Sequence, residues 1–153
     1  MTKLRNLMRQ AGLLWCSLTF ILISCEVSPQ EIHYGADACH YCKMTIVDTR
    51  HAAQLVTEKG KAFKYDAIEC MLNHKANWDQ TAIKFHLVAD YNNPKILIDA
   101  TKAHYLVSES IPSPMGAFLS AFEDEQKIVK IRTEKGGETY SWESLLKKFD
   151  LKK

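Results

Sequence analysis

Ala52-Ala53-Gln54-Leu55-Val56-Thr57, the turn Glu58-Lys59-Gly60-Lys61, and Ala62-Phe63-Lys64-Tyr65-Asp66-Ala67-Ile68-Glu69-Cys70-Met71-Leu72 carry the strongest secondary-structure pattern in the chain. Runs rich in β-branched and aromatic residues on either side of a glycine turn predict a hairpin over 52–57 and 62–65. Asp66 and Glu69 then stand at capping-box spacing, and Ala67, Ile68, Met71 and Leu72 supply one apolar face, which predicts a helix to about Lys75. A hairpin that leads straight into an amphipathic helix buries both apolar faces by laying the helix on the sheet, an α+β arrangement.

On either side of this segment, Thr45 to Val47 reads as a strand before the hairpin, and Phe85 to Asp90 and Ile96 to Ile98 read as strands around the turn Asn92-Asn93-Pro94. Ala103 to Val107 is a further strand, and Ile111-Pro112-Ser113-Pro114 is a stiff loop delivering Met115. Gly116 to Phe122 is expected as a strand. Glu123-Asp124-Glu125 opens a segment that closes with Arg132, Lys135, Gly136 and Gly137, acid first and base last, as a helix dipole favours. Ile128, Val129 and Ile131 suit a strand equally well. Ser141 is placed to cap a last helix carrying Leu145, Leu146 and Phe149. The expected fold is therefore α+β, with two small lobes of antiparallel strands, each with a packed helix, and a boundary near residues 100–112. Thr-Glu-Lys-Gly occurs at 57–60 and again at 133–136, but one copy falls in a hairpin and the other at a helix end, so it marks no duplication.

At the other end, Lys3, Arg5 and Arg9 precede the apolar run Ala11 to Ile23, followed by Ser24-Cys25. That run is short for a bilayer crossing, which needs about 20 residues. Leu22-Ile23-Ser24-Cys25 resembles the bacterial lipoprotein box, which makes residues 1–24 a signal peptide and Cys25 the acylated first residue of the mature chain. Ordinary cleavage with Cys25 a free thiol is the alternative. Residues 25–37, polar and containing Pro29, read as a tether, and 38–153 as the domain. The expected location is extracytoplasmic, on the periplasmic side of a bacterial membrane. The formal net charge is +2, with basic and acidic residues interspersed, so no basic stripe marks a nucleic-acid partner.

Cys39-His40-Tyr41-Cys42-Lys43-Met44 concentrates two thiols, an imidazole and a thioether. Copper(I) has a filled d shell, accepts low coordination and takes polarizable sulfur, whereas zinc usually wants four ligands and seldom a thioether. Cys42 and Met44, if extended, project to the same side, and Cys39 three residues before Cys42 lets two thiolates converge at a turn. Met115 is placed to supply a thioether from the second lobe. The expected Cu(I) ligands are Cys39, Cys42, Met44 and Met115, with His40, His104 and Cys70 as weaker candidates. A Cys39–Cys42 disulfide is the competing reading in an oxidising compartment, and Cys39, Cys42, Cys70 and His74 also make a possible structural zinc set. Lys43 stands where c-type haem attachment needs histidine, and the pair precedes a strand rather than opening a helix, which argues against thioredoxin-like exchange. No nucleophile, base and orienting group assemble from local signatures, so no enzyme is expected.

The order of His40-Tyr41-Cys42-Lys43-Met44, Ala52-Ala53-Gln54, Phe63-Lys64-Tyr65-Asp66, Asp99-Ala100-Thr101-Lys102-Ala103-His104-Tyr105, Ser113-Pro114-Met115-Gly116 and Gly136-Gly137 resembles the NosL family, accessory lipoproteins of nitrous oxide reductase. The resemblance spans nearly the whole mature chain. It implies two related ββαβ lobes and a periplasmic copper(I) chaperone serving nitrous oxide reductase or its membrane maturation complex. The chain departs from the family pattern in Lys43, where many relatives have glycine, in the additional Cys39, and in a charged stretch after Met44.

Overall fold

The computed structural model describes residues 26–78 and 81–149. The expected signal peptide and Cys25 lie outside the described residues. Strands β1 (Ala53–Thr57) and β2 (Ala62–Tyr65) form the expected hairpin, α1 (Ile68–Ala76) follows it, and β3 (Ile83–Ala89) and β4 (Leu97–Asp99) complete a sheet ordered β2-β1-β3-β4. The second lobe repeats the plan with β5 (His104–Val107), β6 (Leu119–Phe122), α2 (Glu125–Lys135) and β7 (Glu138–Tyr140), ordered β6-β5-β7, before α3 (Trp142–Lys148). All strand pairs within the two sheets are antiparallel. In each lobe the first strand is central, flanked by its hairpin partner and by the strand after the helix, so the α+β expectation of two ββαβ units holds.

The lobes share one core. Leu55, Met71 and Val88 of the first pack in one cluster with Tyr105, Leu119 and Leu145 of the second. Backbone contact crosses as well, since the Tyr91 N–H donates to the Ala121 carbonyl at 2.8 Å beside a parallel bridge between Asp90 and Ala121.

Local chemistry explains the segments that were ambiguous. Asp124 caps α2 by accepting the Gln126 N–H at 2.8 Å, and Gly136 at φ +70 ends it, so the segment holding Ile128, Val129 and Ile131 is helix. Ser141 forms a capping box with Ser144 at the start of α3.

Several expectations need correction. The Asp66–Glu69 capping box does not form: α1 starts at Ile68 with Ala67 at its cap and no side-chain cap bond. Both acids serve tertiary contacts instead, Asp66 accepting the Val47 N–H at 3.3 Å and Glu69 accepting the Ser113 hydroxyl. Thr45 to Val47 makes a single bridge, Ala38 with Thr45, rather than a strand. β6 is confined to Leu119–Phe122, because Gly116 and Phe118 adopt positive φ and keep the chain in a turn until then. The segment read as a tether joins the fold from Gln30 onward: Gln30 exchanges backbone bonds with the Gln54 side-chain amide at 2.9 and 2.7 Å, and Ile32 is buried in the core.

Candidate metal centre

The sequence Ala38 to Thr45 folds as a closed loop on paired arms. The Gly35 N–H donates to the Ile46 carbonyl at 2.8 Å and the Ile46 N–H to Asp37 at 2.9 Å. Inside these arms the Cys39 N–H reaches the Met44 carbonyl at 2.8 Å and the Lys43 N–H reaches back to the Cys39 carbonyl at 3.0 Å. Closing so tight a loop puts Lys43 at φ +66, the left-handed region where glycine is at ease. Cys42 and Met44 are therefore not on an extended strand as expected, and their approach depends on the turn.

The loop is held against the hairpin. Asp37 pairs with Lys64 of β2 at 2.6 Å, a contact that with the His33 N–H keeps its carboxyl below the usual range, and the His40 N–H donates to the Lys64 carbonyl at 2.8 Å. Since β2 runs directly into α1, that docking lays Cys39 against the first turn of the helix. The Sγ atoms of Cys39, Cys42 and Cys70 all lie within 4.8 Å of one another. Cys39 and Cys70 are fully buried and Cys42 is half-buried, so the triad opens to the surface through Cys42.

Thiol-to-thiol hydrogen bonding makes the cluster asymmetric. The bond from Cys70 lowers the proton affinity of Cys39, aided by backbone N–H groups of Asp66, Cys42 and Tyr41, against the opposing effect of burial. The same bond, followed by burial, raises that of Cys70. One thiolate is thus favoured in a site whose other protons leave when a metal takes their place. Burial, with the neighbouring Cys39 and Cys70, likewise raises the Tyr65 phenol.

Cys70, a weaker candidate for copper and a member of the zinc set in the sequence, is brought to Cys39 and Cys42 by the fold. Its signal was the buried face of an amphipathic helix, which equally describes an inert thiol; only the docking of loop on hairpin shows which face meets Cys39. Met44 and Met115 are exposed, at 58% and 41%, on segments flanking the site. Met115 sits in a loop pinned to α1, because Ser113 donates its hydroxyl to Glu69, the residue before Cys70, while accepting the Phe118 N–H at 2.9 Å. His40 and His74 pack beside the thiols, with ring centroids 4.9 Å apart, and burial pushes both imidazoles below their ordinary pKa. His104 is not brought to the cluster. Strand alternation turns it with Leu106 away from the shared core that holds Tyr105, into a hollow lined by Glu125, Ile128 and Arg132 of α2.

A second constellation has the shape of a hydrolase triad. The Asp48 carboxylate lies 3.0 Å from His51 Nδ1, and His51 Nε2 lies 3.1 Å from Ser120 Oγ. Ser120 is fully buried in β6, where no substrate reaches it, and the chain of contacts joins a loop of the first lobe to a strand of the second. It acts as a clasp between lobes.

The fold and site together define a class: a small two-lobed α+β protein with a partly buried thiol cluster suited to a soft metal ion. The NosL family model matches residues 29–149, and the chain belongs to the NosL family. It is 27% identical over 128 residues to the copper-binding lipoprotein NosL of Stutzerimonas stutzeri, covering 78% of this chain and 67% of that protein. The crystal structure of the copper chaperone NosL from Shewanella denitrificans matches with a TM-score of 0.67 at 20% identity, over 77% of this chain and 95% of that one, a likeness of fold.

Proposed function

We propose that this protein is a lipid-anchored copper(I) carrier, not an enzyme, which binds its ion through the thiolates of Cys39, Cys42 and Cys70 with Met44 and Met115 as exchangeable thioethers. It passes the ion to an extracytoplasmic acceptor, nitrous oxide reductase or its membrane maturation complex. The observation that carries the reading is the convergence of three sulfurs within 4.8 Å, two of them buried and one reaching the surface. Buried donors hold a soft ion, and an accessible thiolate with exposed methionines beside it gives an incoming acceptor ligands to exchange. Acylated Cys25 confines carrier and client to one membrane surface, which raises their effective concentration without a large interface. The names of the two relatives, a copper-binding lipoprotein and a copper chaperone, support the cargo and the anchor.

Anaerobic titration of the reduced protein, with metal analysis, tests this. One Cu(I) per chain is expected at the sulfur site, lost on Cys39→Ser and weakened by Met44→Leu or Met115→Leu. The same three thiols with His74, one turn beyond Cys70, support a second reading, a static zinc scaffold. One tightly held zinc that disappears with Cys70→Ser and His74→Ala, and no copper uptake, favours that reading. For the anchor, Cys25→Ala is expected to move the protein out of the membrane fraction.

A further inference from the structure

Beside the thiols stands a second group of donors that a sulfur site leaves idle. His40 follows Cys39 on the loop, and His74 lies one turn beyond Cys70 on α1. Their rings face each other at 4.9 Å and 44°. Phe63 stands edge-on to His40 at 4.7 Å, Trp78 stands edge-on to His74 at 5.1 Å, and Phe63 and Trp78 meet edge-on at 5.1 Å, so two apolar rings wall the imidazoles. The Tyr65 hydroxyl is 2.5 Å from His74 Nδ1.

We propose that His40 and His74 form a second, nitrogen-ligated station for copper(I), in series with the thiol cluster, through which the ion enters or leaves. The proposal rests on the copper reading above and adds a site to it. With metal–nitrogen bonds of about 2 Å and roughly another 1.1 Å from each nitrogen to its ring centre, two imidazoles in line through one ion have centres about 6 Å apart, so the pair at 4.9 Å must open by rather more than about 1 Å, which the exposed His40 ring on its loop can supply. The Tyr65 hydroxyl fixes one nitrogen of His74, as hydrogen-bond partners behind metal-binding histidines do, and when Nδ1–H donates to that oxygen the lone pair of Nε2 is left for the ion.

The surroundings select the ion. Two ligands satisfy copper(I), whereas zinc lacks the four it prefers. The nearby cations, Lys43 on the loop and Lys61 with its Nζ 4.6 Å above the Phe63 ring, repel a divalent ion more than a monovalent one and keep the station weak. Weak, adjacent and low-coordinate is what a handover requires, because donors change one at a time and the ion is never free.

Packing alone requires rings at 40 and 74 but no lone pairs, and that difference gives the test. Full-length reduced protein, labelled with 15N-histidine and 13C-cysteine, is titrated anaerobically with Ag(I), a closed-shell mimic of Cu(I). The first equivalent is expected to shift the Cys39, Cys42 and Cys70 signals and the second the ring nitrogens of His40 and His74. In His40→Phe/His74→Phe, which keeps the aromatic box, stoichiometry is expected to fall from two ions to one with the cysteine shifts intact. His40→Phe alone, at an exposed ring, is expected to lose the second ion without endangering the fold. A wild-type protein that binds one ion with unmoved imidazoles, or a double variant that still binds two, overturns the station while leaving the thiol site standing. Cysteine signals unmoved by the first equivalent overturn the copper–sulfur reading and the station with it.

Discussion

The two lobes thread the same ββαβ path and order their strands alike, yet among the described residues only the first gathers three thiols that could hold a metal ion. The difference lies in what covers the helix. α1 buries Ile68, Glu69, Cys70, Met71 and Leu72, whereas α2 buries Ile128 alone. α1 also meets the second lobe through the Glu69–Ser113 contact, so a cysteine on it is shielded from bulk water and approached only from the loop over 39–44. Identical topology therefore does not place chemistry; a helix covered by neighbouring elements, and a loop closed over its first turn, do.

The sharpest way to break the contrast is to remove the sulfur that α1 supplies. Cys70→Ser is expected to weaken Cu(I) binding by about 100-fold or more, beyond what loss of a supporting contact costs, as read by competition with a cuprous chelator. His104→Ala in the second lobe is expected to leave binding unchanged. A loss below about tenfold, roughly 1.4 kcal/mol, removes Cys70 from the ligand set.

The second lobe has its own sensitive point, in the backbone. Gly137 has φ +109, and a Cβ there would meet the Val107 carbonyl oxygen at 2.3 Å and Ser108 Cβ at 2.9 Å. Gly137→Ala forces β7 away from β5 and is expected to cost about 3 kcal/mol, from strain and overpacking together, in denaturant melts of the apo protein. Copper stoichiometry below the melting transition is expected to stay the same, because no thiol lies in that lobe.

How much of this was legible in the sequence follows from which interactions are local. The hairpin, the Ser141 cap and the glycine stop after α2 were readable because residues a few positions apart determine them. Cys39 and Cys42 were readable for the same reason. The false capping box shows the limit: Asp66 and Glu69 have the right spacing, but Val47 and Ser113, distant in sequence, claim their carboxylates. Cys70, His40 and His74 were legible as donor residues by type and spacing, but which of them meet was not, since the approach of Cys70 to Cys39 and of His40 to His74 depends on the 39–44 loop docking onto β2. The extended reading of Cys42 to Met44 failed because nothing in a lysine announces positive φ.

The seam between the lobes is probed by Ser113→Ala. Glu69 is buried, its Oε2 has no partner among the described residues, and Ser113 supplies the bond to Oε1. Losing it is expected to cost about 1–3 kcal/mol and to free the loop bearing Met115. X-ray absorption on the copper-loaded variant is expected to show one sulfur fewer than wild type, and Ser113→Thr to restore it. An unchanged sulfur count removes Met115 from the ligand set.

His86 on β3, packed 5.8 Å from the Trp142 ring of α3, gives the same seam a pH signature. Burial holds its imidazole at about 4 against an ordinary 6.5, and Nε2 is buried without a partner among the described residues. Between those values the unfolded chain takes up a proton that the folded protein refuses, so stability falls as pH drops from about 6.5 to about 4 and this contribution levels off below. In melts across that range His86→Phe is expected to flatten the slope. An unchanged slope assigns the acid sensitivity to other groups.

The smallest effect is expected at Lys43, where the 39–44 loop of the first lobe carries strain that glycine would relieve. At φ +66 a lysine costs roughly 1–2 kcal/mol, while glycine loses about 0.5–1 kcal/mol more chain entropy on folding. The Lys43 ammonium also caps the His40 carbonyl, a contact that glycine gives up. Lys43→Gly is therefore expected to stabilise the apo protein by no more than about 1 kcal/mol, a rise of about 2–5 °C in Tm. Removing a cation beside the His40–His74 pair has a second consequence, tighter binding of the second Ag(I), by a few-fold at low salt and less at high salt. If Tm rises while the second ion is unaffected, Lys43 shapes the loop only. If the second ion tightens in a salt-dependent way, the charge of Lys43 governs how readily the first lobe gives up its cargo.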